Sequence, residues 1–336
     1  MIQDNQTKAT LKENRWGRLL WTTKLVITGL ILAYIVDTFR SEQKGLRDIG
    51  QSLRQVWNSK HFVSISFLLL LVPVNWALES LKWRNLVNKI LPMTFRDAFK
   101  GTLTGLAVGV ALPAQLGDTI GRLGAIQTGQ RLQALGAAII SNGIQFYVSI
   151  VAGTIGWAVV SPQLPLSMGQ KNGIWIVLAV IITLGVLTAI ARHRLLLLTK
   201  KIPLLKKTTE YLKVIGLYSP MELLWASTLG GARYLVFLTQ FLIALSLFQF
   251  QLPIYLLASC ITLIFLVKTV VPAVNVLGDL GIREFTALFV FKSFNLPIDQ
   301  LLAATFLIWV VNVLGPIFIG LYLIWKYKIK SNSLNT

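Results

Sequence analysis

Nine apolar stretches run along the chain, near residues 19–36, 62–80, 101–116, 133–160, 173–191, 223–248, 253–276, 281–296 and 300–325. Runs such as Ile174 to Ala191 and Leu235 to Phe248 contain no charged residue. A bilayer core about 30 Å thick needs roughly 20 apolar residues per helical crossing. The pattern therefore predicts an all-α integral membrane protein built as one domain over residues 1–336, with about seven to nine membrane segments. Two stretches, 101–116 and 281–296, are short for a crossing and border the most polar intramembrane sequence, so they are read as half-helices. Between the first two stretches Leu46, Ile49, Leu53, Val56 and Trp57 recur at helical spacing, which predicts an amphipathic surface helix.

Composition agrees with that pattern. Apolar residues make up 54% of the 336 positions and charged residues only 13%, with a mean hydropathy of +0.66. A soluble domain carries about 25% charge. The net charge of +19 would point to nucleic acid in a soluble protein. Here the Lys and Arg residues concentrate between the apolar stretches, where the positive-inside rule accounts for them and no nucleic acid is expected. The block from Arg192 to Lys213 interleaves basic residues with leucines and reads as a loop lying on an anionic leaflet. The N-terminus (1–18), the segment 82–100, the loop 192–222 and the tail 326–336 are thus placed on the cytoplasmic side of the cytoplasmic membrane. The loop 37–60 resists this scheme, because it falls outside yet carries Arg40, Lys44, Arg47, Arg54 and Lys60. The polar start leads into the first apolar stretch without a cleavage pattern, so a retained anchor is expected. Cys260 is the single cysteine and His61 and His193 the only histidines, so neither a disulfide within the chain, nor a Cys/His metal site, nor any cofactor is expected.

Two stretches resemble each other. One reads Leu91-Pro92, Pro113-Ala114, then Gly117-Asp118 and Arg122; the other reads Leu252-Pro253, Pro272-Ala273, then Gly278-Asp279, Gly281, Arg283 and Glu284. The orientation from charge makes residues 101–131 begin and end on the cytoplasmic side, and 253–298 begin and end on the opposite side. Together these predict two inverted pseudo-repeats, 62–160 and 223–325, each with a broken or re-entrant helix. Pro113, Gly117, Pro272, Gly278 and Gly281 are the helix-breaking positions. Broken backbone is tolerated at membrane depth only where protein or a water-filled cavity covers it.

The pairs Asp118/Arg122 and Asp279/Arg283 are each spaced to share a helix face and neutralise one another. Two readings stay open for them. They pin the loops shut, or their arginines face an anionic ligand, for which the planar guanidinium offers two parallel N–H donors. Arg233 and Lys268 lie deep enough in their spans to join either a packing contact or a cavity. Glu79, followed by Lys82, Trp83 and Arg84, reads as an interface anchor at a span end. Asn142 and Gln145 are expected to bond between helices, as is Asn275 in the second broken region.

The stretch Pro113-Ala114…Gly117-Asp118…Arg122, the stretch Pro272…Gly278-Asp279-Leu280-Gly281-Ile282-Arg283-Glu284 and the segment Leu81-Lys82-Trp83-Arg84 resemble the lysylphosphatidylglycerol synthase transmembrane-region family, also called flippase-like domain proteins. The resemblance spans roughly residues 20–326. It implies a membrane domain with broken helices that moves lipids across the inner membrane. In fused members a cytosolic domain attaches lysine to phosphatidylglycerol; the sequence here reaches Thr336 soon after its last span and is expected to lack that domain. Its first motif has Asp118 where the resemblance leads one to expect Glu, which keeps the charge and shortens its reach.

The leading expectation is a transporter of an anionic phospholipid or a polyprenyl-phosphate-linked lipid. In it Arg122 and Arg283, helped by Arg233 or Lys268, hold the phosphate, and Asp118, Asp279 and Glu284 orient them or meet a cationic headgroup. Membrane lipids and the anionic leaflet are the expected partners, and the oligomeric state is left open. One alternative is a membrane scaffold or partner subunit, which predicts that charge-neutral substitutions in both motifs leave function intact. The other is a lipid headgroup enzyme, which would need convergent acid/base groups or a metal held by Asp118, Asp279 and Glu284.

Overall fold

The structure is a computed structural model and describes residues 46–57, 59–111, 116–124, 131–201, 213–271 and 282–332. The first apolar stretch, 19–36, and Asn275 lie outside them. The described residues form α1 (Leu46–Val56), α2 (Phe62–Val87), α3 (Phe95–Ala111), α4 (Leu116–Gly124), α5 (Arg131–Val160), α6 (Met168–Lys201), α7 (Pro220–Ser246), α8 (Ile254–Val270), α9 (Ile282–Phe291), α10 (Ile298–Trp309) and α11 (Gly315–Asn332). A π-helical turn, Val310–Leu314, joins the last two into one run. No strand occurs among the described residues.

Five helical stretches are long and apolar enough to cross a bilayer: Phe62–Val87, Gln133–Gln163, Met168–Arg192, Pro220–Ser246 and Ile298–Lys326. α6 shows the reason most plainly. Trp175, Ile176, Val180, Leu184 and Leu187 are all exposed on it, an apolar surface that water would not tolerate on this scale and that lipid solvates. At α7, Pro220 occupies the first turn and Ser219 and Glu222 form a reciprocal capping box, fixing where the helix starts.

α3 and α4 form a hairpin where a re-entrant one is expected over residues 101–131. Gly109 lies against Asp118, while Gly105 lies against Asp118, Gly121 and Arg122, so the arms run antiparallel. The approach is backbone to backbone: a Cβ on Gly121 would sit 2.5 Å from Gly105 Cα. α4, with 9 residues, is only about 13 Å long and cannot cross a core of about 30 Å. Both arms are rooted at one end of the bundle. Trp83, Leu86 and Val87 at the end of α2, Ala98 at the start of α3, Leu123 at the end of α4 and Ala134 at the start of α5 share one apolar cluster with Tyr218 and Ala226. The basic segment 82–100 adjoins this end.

A second hairpin enters from the other end. Val267 and Val271, where α8 ends, pack on Ile282 and Phe285, where α9 begins. α8 is antiparallel to α5, with Gly156 against Ser259 and Thr262 and Gly153 against Leu266, so its root lies where α5 finishes. Val271, at φ −109 and ψ 53, has already left the helical region, as expected of a residue preceding proline. The helix α3 likewise ends ahead of Pro113. Gly117, expected as a breaking position, instead lies inside the first turn of α4. A glycine is tolerated there because the turn's amide groups have no partner within the helix in any case. Pro113, Pro272, Gly278 and Gly281 are outside the described residues.

The amphipathic helix appears as α1, but its apolar face is docked on protein. Val56 and Ser52 are buried, and the Ser52 hydroxyl donates to Asp299 Oδ2 of α10 at 3.0 Å. Elsewhere, two irregularities meet: α2 contains Pro73, and Asn75, just beyond it, donates to Asn312 of the π turn at 3.2 Å. Proline removes a helical hydrogen bond and a π turn shifts the register; the buried Asn–Asn bond ties the two together.

Candidate site: a buried charge cluster

α2 presents Asn75, Trp76, Glu79, Lys82, Trp83 and Leu86 on its buried side. Glu79 lies eight residues before the helix ends at Val87, about 12 Å inward along the axis. Only 2% of Glu79 and none of Lys82 is exposed. This corrects the interface-anchor expectation for Glu79: the helix continues two turns past it, and its partners come from other helices instead of from the membrane surface.

Three cations converge on that carboxylate. Lys82 Nζ is 2.8 Å from Glu79 Oε2, Arg122 Nη2 is 2.9 Å from Oε1, and Arg233 Nη1 is 3.2 Å from Oε2. Arg122 also pairs with Asp118 one turn earlier on α4, at 2.9 Å, and Lys82 donates to Gln145 Oε1 of α5 at 3.2 Å. Thus α2, α4, α5 and α7 each supply a polar group. Each arginine stacks on one indole ring, Arg122 over Trp83 at 5.6 Å and Arg233 over Trp76 at 5.2 Å. Such stacking is worth most where water is excluded.

The balance of the cluster is uneven. Among the described residues, Lys82, Arg122 and Arg233 face two carboxylates, Glu79 and Asp118, leaving one positive charge in excess. Donors are also in excess: Arg122 Nη1, Arg233 Nε and the indole N–H groups of Trp76 and Trp83 have no acceptor among the described residues. The cluster is closed on the Glu79–Lys82 side and opens past Asp118 and Arg233, whose side chains are 22% and 21% exposed. A buried ion pair that lacks one partner is costly, and a donor surplus of this kind accommodates an anion.

Of the residues singled out from sequence, Asp118, Arg122 and Arg233 therefore come together. Lys268, on α8, holds its ammonium 5.4 Å from the ring of Phe237, which lies one turn along α7 from Arg233. Arg283 and Glu284 lie at the start of α9, both buried. Arg283 is fully buried and donates to the carbonyl of Thr305 at 3.4 Å. Asp279 lies outside the described residues. Among the described residues, no three His, Cys, Asp or Glu side chains come together as a metal site would require.

Glu79, Lys82, Trp76 and Trp83 were not singled out as site residues. Their signal is the spacing: Asn75, Glu79 and Lys82 fall three or four apart, a polar stripe on an otherwise apolar span. No curated protein matches the chain. The sequence pattern of the lysylphosphatidylglycerol synthase TM region matches residues 21–320, nearly the whole length of the helical bundle just described, and the chain belongs to that family of multi-pass membrane proteins.

Proposed function

We propose that the protein is a transporter that moves a lipid with an anionic headgroup across the cytoplasmic membrane, its termini on the cytoplasmic side. The observation that carries this reading is the buried Glu79–Lys82–Asp118–Arg122–Arg233 cluster with its surplus cation. Charges placed at membrane depth cost about 2.5–3.5 kcal/mol each on insertion scales, and they mark substrate paths where they persist. Two hairpins rooted at opposite ends of the bundle support this reading, because transporters with alternating access are commonly built from inverted repeats. In this scheme Arg122 with Arg233 takes the phosphate from one leaflet and Arg283 from the other, with Lys268 close to the route between them. Asp118, Asp279 and Glu284 orient the arginines or meet a cationic headgroup.

The test is lipid exchange in liposomes holding the purified full-length chain, following a fluorescent phospholipid by its accessibility to a quencher. The expected result is faster exchange than in protein-free vesicles, with loss in both Arg122→Gln and Arg283→Gln. Equal rates for all three proteins would remove the arginines from the mechanism. Wild-type rates no faster than empty vesicles, across several headgroups, would favour the scaffold reading.

A further inference from the structure

Two helices are weakened at one level of the bundle, where Asn75 meets Asn312. In α2, Pro73 has no N–H, so the bond it would close onto the Leu69 carbonyl is missing. In the run from α10 to α11, the π turn Val310–Leu314 is followed by Gly315 and Pro316. Pro316 likewise closes no helical bond onto the Asn312 carbonyl. Between these weak points Asn75 Nδ2 donates to Asn312 Oδ1 at 3.2 Å. Two amides can exchange a pair of bonds, yet Asn75 Oδ1 and Asn312 Nδ2 have no partner among the described residues. Both side chains are buried, where an unmade bond is costly. A pair that served only to fasten the helices would make both bonds.

The π turn also divides two packed bodies. Before it, Leu301, Leu302, Ala304 and Ile308 of α10 belong to the main core with α5, α7, α8 and α9. There the Thr305 carbonyl accepts from Arg283 of the second hairpin. From the turn onward, Val313 and Ile317 cluster with Leu106 and Ala107 of α3. Gly320 of α11 lies against the Leu103 carbonyl and Ala107, and α3 holds α4 through Gly105 and Gly121. α3, α4 and α11 thus form one block, and it carries Asp118 and Arg122.

We infer that the π turn is a hinge at which this block swings relative to α10 and the second hairpin, and that the Asn75–Asn312 bond is its latch. This rests on the transport reading only for the use made of the motion. π turns within helices recur at functional sites and at kinks, and hinges lie where a few residues absorb a change of direction. With the latch closed, Asn312 is held against α2. When it opens, α11 takes α3 and α4 with it and changes how Arg122 and Asp118 approach Glu79. Arg283 stays with α10, so the two hairpins move relative to one another.

Distances between spin labels test this without reading transport. Labels are attached through Met221→Cys on α7 and Lys326→Cys on α11, both exposed, in full-length Cys260→Ala protein in lipid nanodiscs. With the hinge residues unchanged, two distance populations are expected, the latched one matching the structure. Asn75→Ala and Asn312→Ala are each expected to raise the ratio of unlatched to latched at least threefold, and the double variant no further than either single. Pro316→Ala restores an N–H donor, closes the helical bond and is expected to lower that ratio. A control pair, Met221→Cys with Thr188→Cys on α6, leaves out the moving block and is expected to stay constant. A monodisperse elution profile verifies the fold of each variant. One distance unchanged by every variant, additive effects of the two asparagines, or a matching change in the control pair would overturn the inference. So would a rise in the ratio with Pro316→Ala, since opposite signs separate a hinge from loosened packing. Distances that respond as expected in a protein that exchanges no lipid in liposomes would sink the transport reading and leave the hinge standing.

Discussion

Removing the Glu79 carboxylate is expected to be the most destabilising single change in the membrane region. In Glu79→Ala, Lys82 remains fully buried with Gln145 as its one remaining partner, and Arg122 and Arg233 lose the anion between them. Breaking a buried ion pair by deleting one partner costs about 3–5 kcal/mol, chiefly because the other charge is left uncompensated. Lys82 has no exposed surface through which to regain water, so the upper part of that range applies. The arginines suffer less: Arg122 keeps Asp118, and Arg233 is partly exposed. The double variant Glu79→Ala/Lys82→Met removes the stranded ammonium as well and is expected to unfold at a higher temperature than Glu79→Ala alone. That non-additivity is the signature of a direct pair. Thermal unfolding of wild type, Glu79→Ala, Lys82→Met and the double variant in one detergent measures it. An unfolding temperature for Glu79→Ala equal to wild type would contradict the cluster's burial.

The second large effect is expected at the crossing of the hairpin arms. A methyl group on Gly121 would meet Gly105 Cα at 2.5 Å, the Thr104 carbonyl oxygen at 2.7 Å and Gly105 N at 2.8 Å. All three are backbone atoms, so no side chain can rotate away and the arms must separate. Overpacking of this kind costs about 1–3 kcal/mol. Alanine gains roughly 1 kcal/mol over glycine in helix propensity, which offsets only part of it. Gly121→Ala is therefore expected to lower thermal stability and slow lipid exchange, since Asp118 and Arg122 ride on the displaced arm. Gly143→Ala on α5, where nothing lies within 4 Å of the added carbon, is the control and is expected to be neutral or mildly stabilising. Equal stability of the two variants would show that the arms are not held by their glycines.

The helices were legible because apolar runs of membrane length leave few alternatives: from residue 62 onward the described part of each stretch is mainly helix, with ends moved by several residues. The Asp118–Arg122 pair was legible too, since a spacing of four within a short helix needs no tertiary information. The site's centre was not. Glu79, Lys82, Trp83 and Arg84 in a row have the composition of a span end, where long basic side chains reach the headgroups. Only the packing of α4, α5 and α7 against α2 turns that segment into a buried cluster, and contacts between residues 43 and 154 positions apart leave no local trace. The long apolar side of α2 hid its polar stripe for the same reason: Asn75, Glu79 and Lys82 are diluted by the leucines around them. Arg84, in the same segment, does behave as an end residue, donating to the Met93 carbonyl at 3.0 Å.

The claim that a lipid headgroup enters the cluster is tested most directly by photocrosslinking. A phosphatidylglycerol analogue with a photoreactive group beside its phosphate is added to the reconstituted wild-type protein, irradiated, and the labelled peptides identified by mass spectrometry. Labelling of residues in 76–83, 118–122 and around 233, suppressed by excess unlabelled phosphatidylglycerol, is the predicted result. Labelling confined to the lipid-facing surface of α6, around Trp175 and Ile176, would contradict it.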